Sequence, residues 1–455
     1  VSGKIVKSVK AVLALSPPGL NVDSVELNLK LDRLTVLVGP NASGKTTVLQ
    51  IIGYLLSSRL DPMNSSLGFA LTRTLRPTGS IPEYIAGTLE LGGKNIHSIL
   101  IAPHILALSP SNLLQKIIDS LDLKPDFSRI LFREIENDLL KYIRSIDIVD
   151  EKYKKIYEKE GGSELLLSPR VKSYLLLKNL IYEIFDKNVR IGVSDPFYGV
   201  VSLDEKALED DTSRLLRYLL GIRKERIRIG YIINSSEKLE KIVLVGPIGS
   251  GAIVFKSSKE ASTLDIASVM VFHPGFIFQA GVFEGLYSYY AKKGLPREEE
   301  ALNLLRKYIR WVKGYEVLYR RLFLKSSGDG VRVSVYSLSD GYRVAVFMSL
   351  LYALSRGNTV FLIDTPEAFV HPDGLSLIAD FIVGLVKEGN QVIVATQSIE
   401  FLERLLSSSK QHGVLEDTLV ERIELTSDGV IRPAGIWSGE VSLNSIKDLG
   451  LDLRR

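Results

Sequence analysis

Cysteine is absent from the 455-residue sequence. That absence excludes disulfide frameworks, Cys-ligated zinc, iron–sulfur clusters and thiol catalysis. Histidine is scarce: His97, His104, His273, His371 and His412 are the five, and none stands at HxxxH or HExxH spacing. A structural zinc site is therefore not expected. Glutamine is nearly as rare, with Gln50, Gln115, Gln279, Gln391, Gln397 and Gln411 only. A chain without cysteine and poor in glutamine suits heat adaptation, where labile residues are depleted. Long apolar runs are lacking too. Val344–Leu354 falls short of the ~20 residues a membrane span needs, and Ala11–Leu15 is shorter than the apolar region of a secretory signal. The expectation is a soluble, cytoplasmic protein with no membrane partner. Charge of one sign is missing as well. Lys+Arg 57 against Asp+Glu 53 leaves +4, mildly basic and far from a nucleic-acid-coating excess.

What is present is an ordinary globular composition, 45% hydrophobic and 24% charged, in a chain long enough for two or three compact units. Strands are expected at Lys4–Leu15, Val25–Leu31 and Leu34–Val38, and a helix from Thr46. Ile81–Leu91 and Asn95–Ile101 read as strands, and 112–185 as mostly amphipathic helix broken by Pro125, Gly161-Gly162 and Pro169. Ile227–Ile233, Lys241–Val245 and Ala252–Lys256 read as a small antiparallel sheet, followed by a basic, aromatic-rich helix near Arg297–Phe323. After Val331 short apolar strands (Val331–Tyr336, Thr359–Asp364, Gln391–Ala395) alternate with helices (Ser339–Ser355, Asp373–Lys387), the order of parallel βαβ packing. Regions 30–60 and 331–405 are expected to pair in one sheet.

The segment Gly39-Pro40-Asn41-Ala42-Ser43-Gly44-Lys45-Thr46, followed by Thr47, fits GxxxxGK[ST] between a strand and a helix. Glycines let backbone N–H groups turn inward around phosphate oxygens, and the helix N-terminus adds a favourable dipole. Lys45 would reach the β/γ-phosphates and the Thr46 hydroxyl would ligate Mg²⁺. Asp364, ending an apolar strand, places a second metal-binding oxygen at the sheet's C-terminal edge. ATP and Mg²⁺ are the expected ligands.

Three further segments make the pattern specific. SLSDGYR (Ser337–Arg343) resembles the signature loop of ABC-type ATPases, LIDTPEAFVHP (Leu362–Pro372) resembles the Walker B region of the RecF/SMC/OLD-nuclease branch, and QVIVATQS (Gln391–Ser398) resembles its switch strand. The chain thus resembles an ABC-type, AAA-ATPase-like P-loop head of that branch. The resemblance implies an α/β P-loop fold with a mixed sheet flanked by helices and a largely helical insertion carrying a small antiparallel sheet. The implied organisation is an N-terminal head part at 1–105, an insertion at 106–330 and a C-terminal head part at 331–455. It also implies a homodimer that closes on ATP, with Ser339, Asp340 and Gly341 facing the nucleotide of the partner copy. No Toprim nuclease of the OLD type is expected in the stretch after Gln397.

Two positions depart from the family pattern. Thr365 stands where the glutamate that polarises water is usual, and Gln397 where a switch histidine is frequent. Threonine is no general base near neutral pH, whereas glutamine orients water without accepting a proton. Glu367 is the nearest substitute carboxylate, so slow hydrolysis is expected from Glu367, Gln397 and Thr365. Gln115 and Gln279 both stand as candidates for the Q-loop glutamine. Gly246–Gly251 reads as a hairpin turn, because it lacks the lysine of a P-loop. The basic run Arg217–Arg228, with Lys307, Arg310, Lys313, Arg320, Arg321 and Lys325, fits either a solvated face or a DNA backbone. The expected role is an ATP-driven switch in DNA maintenance or genome defence; a nucleotide-gated protein scaffold with vestigial hydrolysis is the alternative.

Overall fold

The computed structural model describes residues 6–14, 25–57, 84–101, 123–159, 189–195, 199–203, 227–233, 239–248, 251–257, 268–278, 281–291, 297–319, 321–326, 330–355, 357–427 and 430–454, with isolated residues 119, 121, 176, 180, 183 and 184. Gln115, Gln279, Arg320 and 217–226 lie outside them.

Along the chain come β1 (Val6–Ala14), β2 (Val25–Lys30), β3 (Leu34–Val38) and α1 (Lys45–Ser57). Next are β4 (Tyr84–Leu91), β5 (Lys94–Ile101) and the long α2 (Pro125–Lys159). The strands β6 (Val189–Asp195), β7 (Gly199–Leu203), β8 (Ile227–Ile233), β9 (Leu239–Ile248), β10 (Gly251–Ser257) and β11 (Ser268–Phe272) follow. After α3 (Val282–Ala291) and α4 (Glu298–Arg306) lie β12 (Val312–Leu318), β13 (Arg321–Ser326) and β14 (Arg332–Ser334). The rest alternates: α5 (Asp340–Leu354), β15 (Thr359–Asp364), α6 (Pro372–Lys387), β16 (Gln391–Ala395), α7 (Ile399–Gln411), β17 (Thr418–Leu425), β18 (Val430–Ser438) and α8 (Gly439–Leu449).

The architecture is the α/β P-loop type. Its heart is a parallel run β11-β15-β16-β3-β17. All residues of β3, β15 and β16 are buried, as continuous apolar strands are when helices cover both sheet faces. Parallel pairing sends the C-terminal ends of β3, β11, β15 and β16 to one edge, where loops are free to bind a ligand. Beyond β17 the sheet turns antiparallel through β18 and, after a short parallel contact of β18 with β2, runs on through β1-β4-β5-β8-β9-β10-β6-β7. The Gln391 side chain ties the two parts together at the opposite edge: its amide accepts from Val6 N (2.9 Å) and donates to Val6 O (2.7 Å) and Asp32 O (3.0 Å).

Three findings differ from the sequence reading. β11, inside the stretch assigned to the insertion, is the outer strand of the parallel core, with Ser268–Phe272 paired to Thr359–Ile363. The strands β8-β9-β10 are antiparallel as expected, with Ile248 of β9 paired to Gly251 of β10, but they extend the large sheet through β5. The expected helix at Arg297–Phe323 is instead α4 followed by the β12–β13 hairpin. Leu302, Leu305, Ile309 and Val312 recur at helical spacing, which masks the change, but a register shift at Val312/Gly314 marks a bulge where the chain becomes extended. The separate small sheet is β12-β13-β14. Among the described residues no helix is long and apolar enough to cross a membrane.

Candidate active site

The loop between β3 and α1 needs two of its glycines on steric grounds. Gly39 has φ +150°, and a Cβ there would sit 2.6 Å from the Ile423 carbonyl oxygen. Gly44 has φ +93°, and its Cβ would meet Ile431 Cδ1 at 2.6 Å. Ala42 also takes a left-handed φ of +60°. Side chains rarely tolerate these values, so the loop is held in a wrapped shape. Lys45 opens α1 and its ammonium folds back over the loop, donating to Gly39 O (2.8 Å), Pro40 O (2.7 Å) and Ser43 Oγ (3.3 Å). Burial lowers the Lys45 pKa, while Asp364 and Glu367 nearby favour its charged form.

Asp364 ends β15 and is 5% exposed. Its two oxygens accept from Thr46 Oγ1 (2.8 Å) and Thr365 Oγ1 (3.0 Å). The two residues singled out as metal ligands, remote in sequence, are thus in direct contact. A hydroxyl and a carboxylate on one side, with phosphate oxygens on the other, are the hard donors Mg²⁺ takes in nucleotide sites. The donor set fits Mg²⁺.

His273, directly after β11, is the residue that sequence reasoning missed. Its Nε2 lies 3.9 Å from Asp364 Oδ2, and its Nδ1 accepts from Gly275 N at 3.0 Å. Burial lowers its pKa and the Asp364 charge opposes that shift. Search for metal-ligand spacing passes it by; the available signal is an apolar strand, SVMVF, ending in histidine.

Thr365 has φ +47°, and its amide donates to Ala395 O at 2.8 Å, which fixes the turn after β15 against the end of β16. Glu367 Oε1 accepts from Thr396 Oγ1 (2.6 Å) and Gln397 N (3.1 Å). The other oxygen, Oε2, is buried and has no hydrogen-bond partner among the described residues. Burial raises the Glu367 pKa, and the hydrogen bonds from Thr396 and Gln397 lower it in part. Gln397 is itself exposed.

Ser339 is the N-cap of α5, yet its side chain makes no capping hydrogen bond, and it is exposed at the helix N-terminus. Gly341 is buried with its Cα against the Phe369 carbonyl oxygen, 2.8 Å from where a Cβ would stand. The signature-like segment is thus packed against the turn that carries Glu367. Of the basic residues weighed for DNA, Lys307 faces Asp380 (3.5 Å) and Lys325 faces Glu316 (3.6 Å).

The family model described as "AAA domain, putative AbiEii toxin, Type IV TA system" matches residues 34–403. Similar solved structures include the SmcHead bound to the C-winged helix domain of ScpA (10% identity, 96% of this chain and 99% of that one, TM-score 0.41). Another is the Smc head domain with an extended coiled coil bound to the C-terminal domain of ScpA, derived from Pyrococcus furiosus (12%, 98% and 100%, 0.39). A third is the SMC head domain from Thermotoga maritima (11%, 94% and 99%, 0.33). No curated protein matches the sequence.

Proposed function

The chain belongs to this AAA-domain family of P-loop ATPases, and from that premise we propose that it binds Mg²⁺-ATP, hydrolyses it slowly, and uses ATP to pair two copies as a switch. DNA maintenance or genome defence is the setting, and the family's description as a putative toxin of a Type IV system favours defence. The observation that carries the reading is the 2.8 Å contact between Thr46 and Asp364, which brings the P-loop and the end of β15 to one place.

Residues 39–47 would cradle the phosphates, with Lys45 reaching the β/γ-phosphate oxygens, and Thr46 with Asp364 would hold the metal. When bound, Mg²⁺ neutralises charge developing on the phosphoryl oxygens. Ser339, Asp340 and Gly341 present an uncapped helix N-terminus to the γ-phosphate of the partner copy's nucleotide, since orphan N–H groups there favour an anion. Glu367 takes the proton of the attacking water: burial makes its carboxylate a stronger base than an exposed one. Gln397 orients that water. Thr365 is occupied in holding Asp364, which favours the alternative of a nucleotide-gated protein scaffold if turnover proves vestigial.

Turnover measured with and without DNA, beside a nucleotide-binding assay, tests the reading. DNA-stimulated hydrolysis supports the switch on DNA, and tight binding without turnover supports the scaffold. Pairing is tested separately. Ser339→Arg should block the ATP-dependent dimer while sparing binding to the single chain. Sedimentation giving one mass with and without a saturating non-hydrolysable analogue would refute pairing.

The departure at Thr365 predicts a gain. Thr365→Glu should raise single-turnover hydrolysis by about tenfold or more, within what a positioned base contributes. The new side chain meets the same left-handed backbone that threonine already tolerates. Glu367→Gln should lower the natural rate. No change from either substitution would remove both positions from the chemical step.

A further inference from the structure

Gln397 is held from both sides. On the amino side its N–H donates to Glu367 Oε1, the oxygen that also accepts from Thr396 Oγ1, while Thr396 Oγ1 in turn accepts from Ser398 N at 3.0 Å. On the carboxyl side its carbonyl oxygen accepts from Arg454 Nη1 at 2.7 Å. Arg454 comes from the segment after α8, remote in sequence from the switch strand.

The guanidinium is not free to wander. Its Nε and Nη2 donate to the two oxygens of Asp452, each at 2.7 Å, and its own amide donates to Asp452 Oδ1 at 3.1 Å. A fork seated on one carboxylate fixes the plane of the whole group, and the remaining arm then has one direction. The segment beneath it is anchored as well. Leu453 is buried, Leu451 N donates to Ser445 O (3.1 Å), and Gly450 ends α8 in the left-handed conformation. On the far side, Ser398 caps α7, its Oγ accepting from Phe401 N at 3.1 Å.

We propose that Arg454, seated on Asp452, is a positioning residue for ATP turnover that acts through Gln397. Glu367 fixes the peptide before Gln397 and Arg454 fixes the peptide after it. With both peptide planes set, the Cα–Cβ direction of Gln397 is fixed, and its side chain starts from one place at the site. The segment after α8 is thereby part of the hydrolytic apparatus without touching nucleotide. The inference rests on the proposed role of Gln397 in orienting water.

Single-turnover hydrolysis and ATP affinity, measured on the full chain, test it together. Arg454→Ala should slow the chemical step by on the order of tenfold, since a small misplacement of an orienting group costs rate without costing binding. ATP affinity should stay within about twofold of the parent, the separation expected of an interaction made only in the transition state. Arg454→Lys should not restore the rate, because an ammonium cannot hold Asp452 and reach Gln397 in fixed geometry. The double variant Arg454→Ala/Gln397→Ala should be no slower than Gln397→Ala alone. Additive losses, an unchanged rate, or an equal fall in affinity would each overturn the inference. Hydrogen exchange at the 396–401 amides supplies a readout without turnover, and Arg454→Ala should speed it. Unchanged exchange beside normal parent turnover would sink the clamp and leave the hydrolytic reading standing. A parent chain without turnover would sink the hydrolytic reading itself.

Discussion

Lys45→Ala is expected to lower ATP affinity by on the order of a hundredfold in a chain that remains folded. A charge-assisted hydrogen bond contributes roughly 1.5–3 kcal/mol, and a hundredfold corresponds to about 2.7 kcal/mol. In the structure the ammonium rests on Gly39 O and Pro40 O. Binding therefore exchanges carbonyl contacts for contacts with an anion, and the difference favours the anion. The substitution touches little else. Val48, Ile51, Ile52 and Leu55 seat α1 in the core independently of Lys45. Titration with a fluorescent ATP analogue, beside a thermal melt, measures both parts. Wild-type affinity in a folded variant would overturn the phosphate-binding assignment.

Asp364→Ala should remove Mg²⁺-dependent hydrolysis, a fall of about a thousandfold or to background. Metal stabilisation of phosphoryl oxygens contributes several kcal/mol, and each 1.36 kcal/mol is about tenfold in rate. The carboxylate also accepts the Thr46 and Thr365 hydroxyls, so its loss also frees Thr46, the proposed second ligand of the metal. Rate against Mg²⁺ concentration separates the two effects. A variant rescued by excess metal has lost affinity alone, and one that turns over at the parent rate places the metal on another carboxylate.

The parts of the site legible in sequence are those whose signal is local. β3 and β15 are short unbroken apolar runs ended by Gly39 and by Asp364, and the glycine and lysine spacing of the P-loop is a backbone requirement written directly in residue types. The contact of Thr46 with Asp364 follows once the two strands are placed in one parallel sheet. His273 is illegible because its role depends on β11 lying beside β15, a pairing that no pattern within SVMVF encodes. Arg454 is hidden for the same reason, since its partner is a backbone carbonyl of Gln397 and any residue type supplies one. The β12–β13 hairpin is concealed by a helical recurrence of apolar residues that a bulge at Val312/Gly314 interrupts. β17 and β18 carry alternation of moderate strength with mixed burial, a weak signal beside the continuous strands.

Among the described residues, β18 and β2 pair only through Val430 with Glu26 and Ile431 with Leu27. Ladder contacts contribute about 1 kcal/mol each, so the ladder itself adds little at this junction, where the Gln391 bonds to Val6 supply a second tie. Ile431 sits at that junction and also fills the space beneath Gly44. Ile431 is thus shared: the same side chain belongs to the β18–β2 ladder and packs against the loop between β3 and α1.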